Sequence, residues 1–174
     1  MLKYSIFLPL LFSLTIFGAN NLTIYNMTGS GGNGYDLGFS LIAQNLSNCA
    51  LEIRADDTSS VGDYCIVPPL SDISFSNFTE LAAYYPSLTT MFTMPGTPPS
   101  YVSLSVADFY LGMFSLNWSY FIAKAEYMGQ FEGQWIGFLD FQSCHGLLYS
   151  WSGQYTNASV FTINDNFYFV LANA

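Results

Sequence analysis

Hydrophobic and polar positions along the chain fall into three regimes. From Tyr4 to Phe17 the sequence is almost continuously apolar, behind a lone Lys3 and ahead of the small residues Gly18 and Ala19. That run is shorter than the roughly 20 residues a membrane-spanning helix needs, so residues 1–19 read as a secretory signal peptide cut near Ala19. Next, Asn20 to Thr28 (NNLTIYNMT) alternates, with Leu22 and Ile24 on one face and Tyr25 and Met27 on the other, as a β-strand does. A Gly-rich hinge over residues 29–34 (GSGGNG) follows and spans up to roughly 20 Å when extended, so the tail need not fold back on its own domain.

From Tyr35 onward the pattern changes to short runs of Phe, Tyr, Trp, Val and Ile separated by turn residues. Strands are expected at Leu37–Asn45, Cys49–Arg54, Tyr64–Val67, Tyr101–Phe109, Met113–Ile122, Lys124–Phe131, Gln134–Phe141, Leu147–Ser152, Ser159–Ile163 and Phe167–Leu171. The last two are joined at Asn164-Asp165-Asn166, which suits a tight hairpin. Residues 35–174 therefore read as one all-β head, a β-sandwich of jelly-roll or Ig-like type. A single short helix is expected after Asn77, where Glu80 completes a capping box and Pro86 ends the run. The Pro-rich stretch Met94–Ser100 reads as a loop crossing between sheets.

Composition narrows the function classes. The chain is 51% hydrophobic, 18% aromatic and only 9% charged, with a net charge of −9, which is rich enough for a core and excludes disorder. Once the signal is removed, Arg54 and Lys124 are the only strong cations against twelve carboxylates. Nucleic acid is thereby disfavoured as a partner, and membrane insertion after cleavage is not expected. Solubility must come from elsewhere, and six N-glycosylation triplets begin at Asn21, Asn26, Asn45, Asn77, Asn117 and Asn157. Chance would place about two in a chain with this content of Asn, Ser and Thr, so covalent N-glycans are expected. A glycan on Asn77 competes with its use as a helix cap.

Cys49, Cys65 and Cys144 are an odd number for an exported chain. A Cys49–Cys65 bridge would close a loop of about 17 residues and contribute about 3 kcal/mol in the chain-entropy picture, leaving Cys144 over. Adjacent Cys144 and His145 point to opposite faces of a strand, which argues against a catalytic dyad. No metal-ligand spacing, hydrolase elbow or phosphate loop is present, and no catalytic residues, metal or non-covalent cofactor are assigned. Glu126, Glu132 and Asp140 on neighbouring strands are candidates for a glycosidase-like carboxylate pair, although solvent-facing carboxylates are the commoner explanation of such a pattern. Trp118, Trp135 and Trp151 form either a carbohydrate platform or part of the core.

Signal peptide, strand-like tail NNLTIYNMT, hinge GSGGNG, β-rich body from Tyr35 and six glycosylation triplets together resemble the subunits of archaeal thread filaments of the Sulfolobus type. The likeness spans the whole chain in layout and composition. It implies a secreted, cell-surface glycoprotein that polymerises head to tail by donor-strand complementation, with roles in adhesion or biofilm. On that implication Leu22, Ile24, Tyr25 and Met27 form the donor strand, and the partners are identical subunits, surface carbohydrate or neighbouring filaments. Two other expectations stay open: a monomeric secreted carbohydrate-binding or adhesion domain with its tail folded on itself, and a secreted acid hydrolase.

Overall fold

The computed structural model describes residues 21–44, 51–60, 62–113, 117–137 and 149–174, and the side chains of residues 117, 119 and 120 lie outside that description. The expected signal peptide, Asn45, Cys49, Asp140, Cys144 and His145 fall outside the described residues, as does the side chain of Asn117.

Twelve strands and two helices are described. One sheet, A, contains β10 (Ser150–Ser152), β11 (Thr156–Ile163), β12 (Asn166–Asn173), β1 (Leu22–Asn26) and β5 (Ser71–Phe75), hydrogen-bonded in that order. The other, B, runs β7 (Ser100–Val102), β6 (Leu88–Thr93), β3 (Glu52–Asp57), β2 (Asp36–Gln44), β8 (Asn117–Tyr127), β9 (Gln130–Gly137), with β4 (Cys65–Val67) pairing β2 beside β3. The fold is an all-β sandwich. Alternate positions on facing strands supply its core, as period-two patterning requires: Leu37, Phe39 and Leu41 from B meet Leu22, Ile24, Phe167 and Phe169 from A. Phe121 on β8 stacks on Phe169 of β12 at 5.1 Å, joining the sheets at their centre.

Trp118 fixes one end. It is 1% exposed and sits edge-on to Phe75 of β5 at 5.5 Å and to Phe78 at 5.4 Å. Phe78 opens helix α1 (Phe78–Tyr84), whose N-cap is Asn77: the side-chain Oδ1 accepts from the N–H of Glu80 at 2.8 Å, while Glu80 accepts from the N–H of Ser76 at 2.7 Å. Hydrogen bonds from the Ser76 N–H and hydroxyl hold the Glu80 carboxyl below its usual range. Helix α2 (Leu104–Met113) supports α1 from the side, where Asp108 accepts from the backbone N–H groups of Phe78 and Thr79 and from the Thr79 hydroxyl.

Several sequence expectations are corrected here. There are two helices rather than one, because the expected strand Tyr101–Phe109 divides early: Leu104, Ala107 and Leu111 pack inward at helical spacing, and Val106 and Ala107 donate to the carbonyl of Ser103. Strand β8 continues to Tyr127, and the expected strand Lys124–Phe131 is a hairpin turning at Met128-Gly129, both with positive φ. Met94–Ser100 joins β6 to its antiparallel neighbour β7 within sheet B and does not cross between sheets. Strands β5 and β6 lie where the sequence pattern predicts none.

Candidate functional site

The first strand lies inside sheet A. It runs parallel to β12, with Ile24 opposite Phe169, and antiparallel to β5, with Ile24 opposite Ile73. Leu22 and Ile24 are fully buried, whereas Tyr25 and Met27 are 37% and 55% exposed on the outer face. Full burial of each aliphatic side chain is worth about 1.5 to 3 kcal/mol, and both edges of the strand are used in the ladders. Taking β1 away would leave two unpaired strand edges facing each other across an apolar slot, which is a template for another strand. On the outer face Thr23 Oγ1 meets Ser74 Oγ at 3.0 Å, and Tyr25 stacks on Tyr168 at 6.5 Å.

The inner face of β1 ends on a polar clasp. Asn26 Nδ2 donates to the carbonyls of Tyr35 at 2.7 Å and Val67 at 2.8 Å. Its Oδ1 accepts from the N–H of Thr28 at 3.2 Å and from Thr28 Oγ1 at 2.7 Å. Thr28 Oγ1 in turn accepts from the N–H of Tyr35 at 2.9 Å. Asn26 is 1% exposed and Thr28 fully buried, so the amide has spent all its hydrogen-bonding capacity inside. A glycan on Asn26 is incompatible with this packing, which corrects the expectation for that triplet. Asn21 and Asn157 are exposed. At Asn77 the competition dissolves: the cap uses Oδ1, and Nδ2, the atom a glycan would occupy, makes only a 3.3 Å contact with Ser76 Oγ.

The Gly-rich hinge is a closed loop. Gly29 and Gly31 have φ of +95° and +82°, a region that glycine reaches without strain. A Cβ on Gly34 would lie 2.7 Å from Pro69, so the chain passes too close for any other residue. A Cβ on Gly29 would lie 3.5 Å from the Cα of Gly34, which places the two loop ends side by side. The hinge length leaves open whether the tail folds back on its own body or pairs with another copy; in this structure the tail is a strand of its own sheet.

Of the candidate carboxylates, Glu126 and Glu132 do not converge, and Asp140 lies outside the described residues. Glu126 is ion-paired with Lys124 at 3.0 Å, and Lys124 also lies over the Tyr64 ring at 4.7 Å. Glu132, opposite Ala125 on the neighbouring strand, points to the other face. There it accepts from the backbone N–H groups of Gln154, Tyr155 and Thr156 at 2.7, 3.1 and 2.6 Å and from the Thr156 hydroxyl. A Cβ on Gly153 would collide with this carboxylate. Glu132 thus ties β9 to the turn before β11. Desolvation opposes its ionisation, but the Thr156 hydroxyl and the three N–H groups outweigh that and hold its pKa below the ordinary 4.5.

The sign follows from a depressed native-state pKa. Glu132 contributes full stability above about pH 4.5 and loses it as pH falls through the native value. Loss of the charge-assisted bonds in Glu132→Gln, discounted for solvent screening, is expected to cost about 1 kcal/mol at pH 7. Urea midpoints of the two chains should converge on acidification, and a gap that persists unchanged at pH 3 contradicts the role.

The tryptophans do not form one platform. Trp118 and Trp151 are in the core, while Trp135 is 42% exposed on β9. Cys65 carries a buried free thiol whose pKa is pushed far up, chiefly by burial. Its expected partner Cys49 lies outside the described residues. Among the described residues, no three or more His, Cys, Asp or Glu side chains are grouped to hold a metal ion, and no helix is long and apolar enough to cross a membrane.

Sequence reasoning missed β5, one wall of the slot, although Ile73 and Phe75 alternate with Asp72 and Ser74. It also missed the partners of the clasp, Tyr35 and Val67, which are reached through backbone carbonyls and leave no side-chain signal. No protein-family model, curated protein or solved structure matches the chain.

Proposed function

We propose that this chain is the structural subunit of an extracellular, glycosylated surface filament serving adhesion or biofilm formation, whose subunits join head to tail by seating β1 of one copy between β12 and β5 of the next. The observation that carries the reading is the place of β1: an N-terminal strand, followed by the Gly-rich loop over residues 29–34, that fills the inside of a sheet with two fully buried side chains. Such a contact between copies is heterologous and does not close on itself, so it propagates a fibre. The slot is completed by β12 (Asn166–Asn173), far along the chain from β1, so β1 has no finished slot of its own until that strand has been made. An incoming strand satisfies the same ladders that the chain's own strand does. Exposed glycosylation triplets at Asn21 and Asn157 fit a sparsely charged surface that needs another source of solubility.

A second reading, a monomeric secreted carbohydrate-binding or adhesion domain, is favoured by the same strand's lying in its own sheet. Size separates them. The secreted protein is expected to run as a ladder on unheated denaturing gels and to show fibres in negative stain. Deleting Asn20–Thr28 should leave a secreted product that does neither. Fibres from the truncated chain would remove β1 from the assembly contact, and a parent that runs only as a monomer would support the second reading.

A further inference from the structure

Moving β1 from its own body to a neighbour's leaves most of its contacts intact. Leu22 and Ile24 meet the same residues of β12 and β5, and Asn26 and Thr28 reach Tyr35 and Val67 of whichever body holds the strand. Those contacts cancel in the balance between the two arrangements. What does not cancel is any interaction that needs both ends of the 29–34 loop on one body at once.

Asn173, the last residue of β12, makes such an interaction. Its Oδ1 accepts from the N–H of Gly29 at 2.9 Å, and its Nδ2 donates to the carbonyl of Asn33 at 2.8 Å. The loop wraps the carboxamide, since a Cβ on Gly32 would lie 3.5 Å from its Cγ and Nδ2. One side chain therefore reads the donor side of the loop through Gly29 and the body side through Asn33. In an exchanged arrangement the loop is stretched from one body to the other, so the closed turn that packs Gly32 and the Asn33 carbonyl on the Asn173 carboxamide is lost.

We infer that Asn173 is a latch that holds β1 in its own groove and sets the proportion of closed monomers to subunits able to exchange the strand. This rests on the proposed function, because the latch matters only if β1 can be exchanged. Loss of two neutral hydrogen bonds should shift the closed-to-open ratio about 5- to 150-fold.

The test uses the full secreted chain and its Asn173→Ala variant, with Asn33→Ala as a control that removes a side chain the latch does not use. Two quantities are read at equal protein concentration: amide hydrogen exchange of Leu22–Asn26 in the monomer fraction, and the share of protein in polymer. In Asn173→Ala, exchange in β1 is expected to rise at least about 5-fold while β2 and β8 stay protected, and the polymer share is expected to grow; Asn33→Ala should match the parent. Should Asn173→Ala not fold, Asn173→Asp keeps the acceptor for Gly29 and loses the donor to Asn33, and is expected to raise β1 exchange by the share of one hydrogen bond, about 2- to 10-fold. Unchanged β1 exchange in a folded latch variant overturns the inference, whether or not the parent polymerises. Faster β1 exchange with no polymer from any chain upholds the latch and removes the filament reading.

Discussion

Replacing both Leu22 and Ile24 by aspartate will keep β1 out of its slot and abolish assembly while leaving export intact. Each side chain is fully buried, so the change removes about 1.5 to 3 kcal/mol of apolar burial per residue and asks a carboxylate to enter a dry slot, costing several kcal/mol more. The sum is comparable with the whole stability of an ordinary domain, about 5 to 15 kcal/mol. No rearrangement within the strand rescues it, because a one-residue slip would bring Thr23 and Tyr25 inward. Limited proteolysis should release the tail, and the variant should show neither ladder nor fibre. Tyr25→Ser should be mild, since that ring loses only an exposed stack on Tyr168, worth about 0.5 to 1.5 kcal/mol. Fibres that survive the double aspartate but fail with Tyr25→Ser would mean that the exchanged strand presents its other face.

Deleting Ser30–Asn33 will convert the protein into a permanent monomer. Gly29 and Gly34 already lie side by side, so joining them preserves the in-chain seat of β1. The same deletion shortens the longest span from Thr28 to Tyr35 from roughly 24 Å to roughly 10 Å. A strand on so short a tether cannot leave one body for another without driving the two bodies together at the loop. Size-exclusion chromatography should show a folded monomer with protected β1 amides and no polymer at any concentration. Undiminished polymer would show that the reach of the loop plays no part in assembly.

These two changes also show where the sequence is legible. Alternation in Leu22–Asn26 reveals which face is apolar because strand geometry has period two and tolerates no ambiguity over so short a run. It also places Asn26 on the inward face, and the burial of that amide follows from the same alternation. The glycine-rich loop is ambiguous for a physical reason: glycine permits both an extended tether and the left-handed turns at Gly29 and Gly31 that close it. Composition does not distinguish the two; the carboxamide of Asn173, far away in sequence, does. Helix α2 is hidden because Tyr101–Phe109 is aromatic and β-branched enough to pass for a strand, and only packing against α1 and β6 selects the helix. Glu132 reads as a surface charge in the sequence because its partners are mostly backbone N–H groups, which no sequence pattern records.

The central claim is that β1 of one copy occupies the slot of another, and a cross-link between two differently marked chains tests it most directly. Tyr25 lies opposite Val170 in the parallel pair, within the separation that a disulfide bridges. One chain carries Tyr25→Cys and the other Val170→Cys, and they are co-secreted, oxidised and mapped by peptide mass spectrometry. Strand exchange predicts a disulfide between positions 25 and 170 that joins the two chains as a covalent dimer on non-reducing gels, and a ladder of cross-linked species when every chain carries both substitutions. Should the linkage form only when both substitutions are placed in one chain, and then only within that chain, β1 serves its own body alone and the filament account fails.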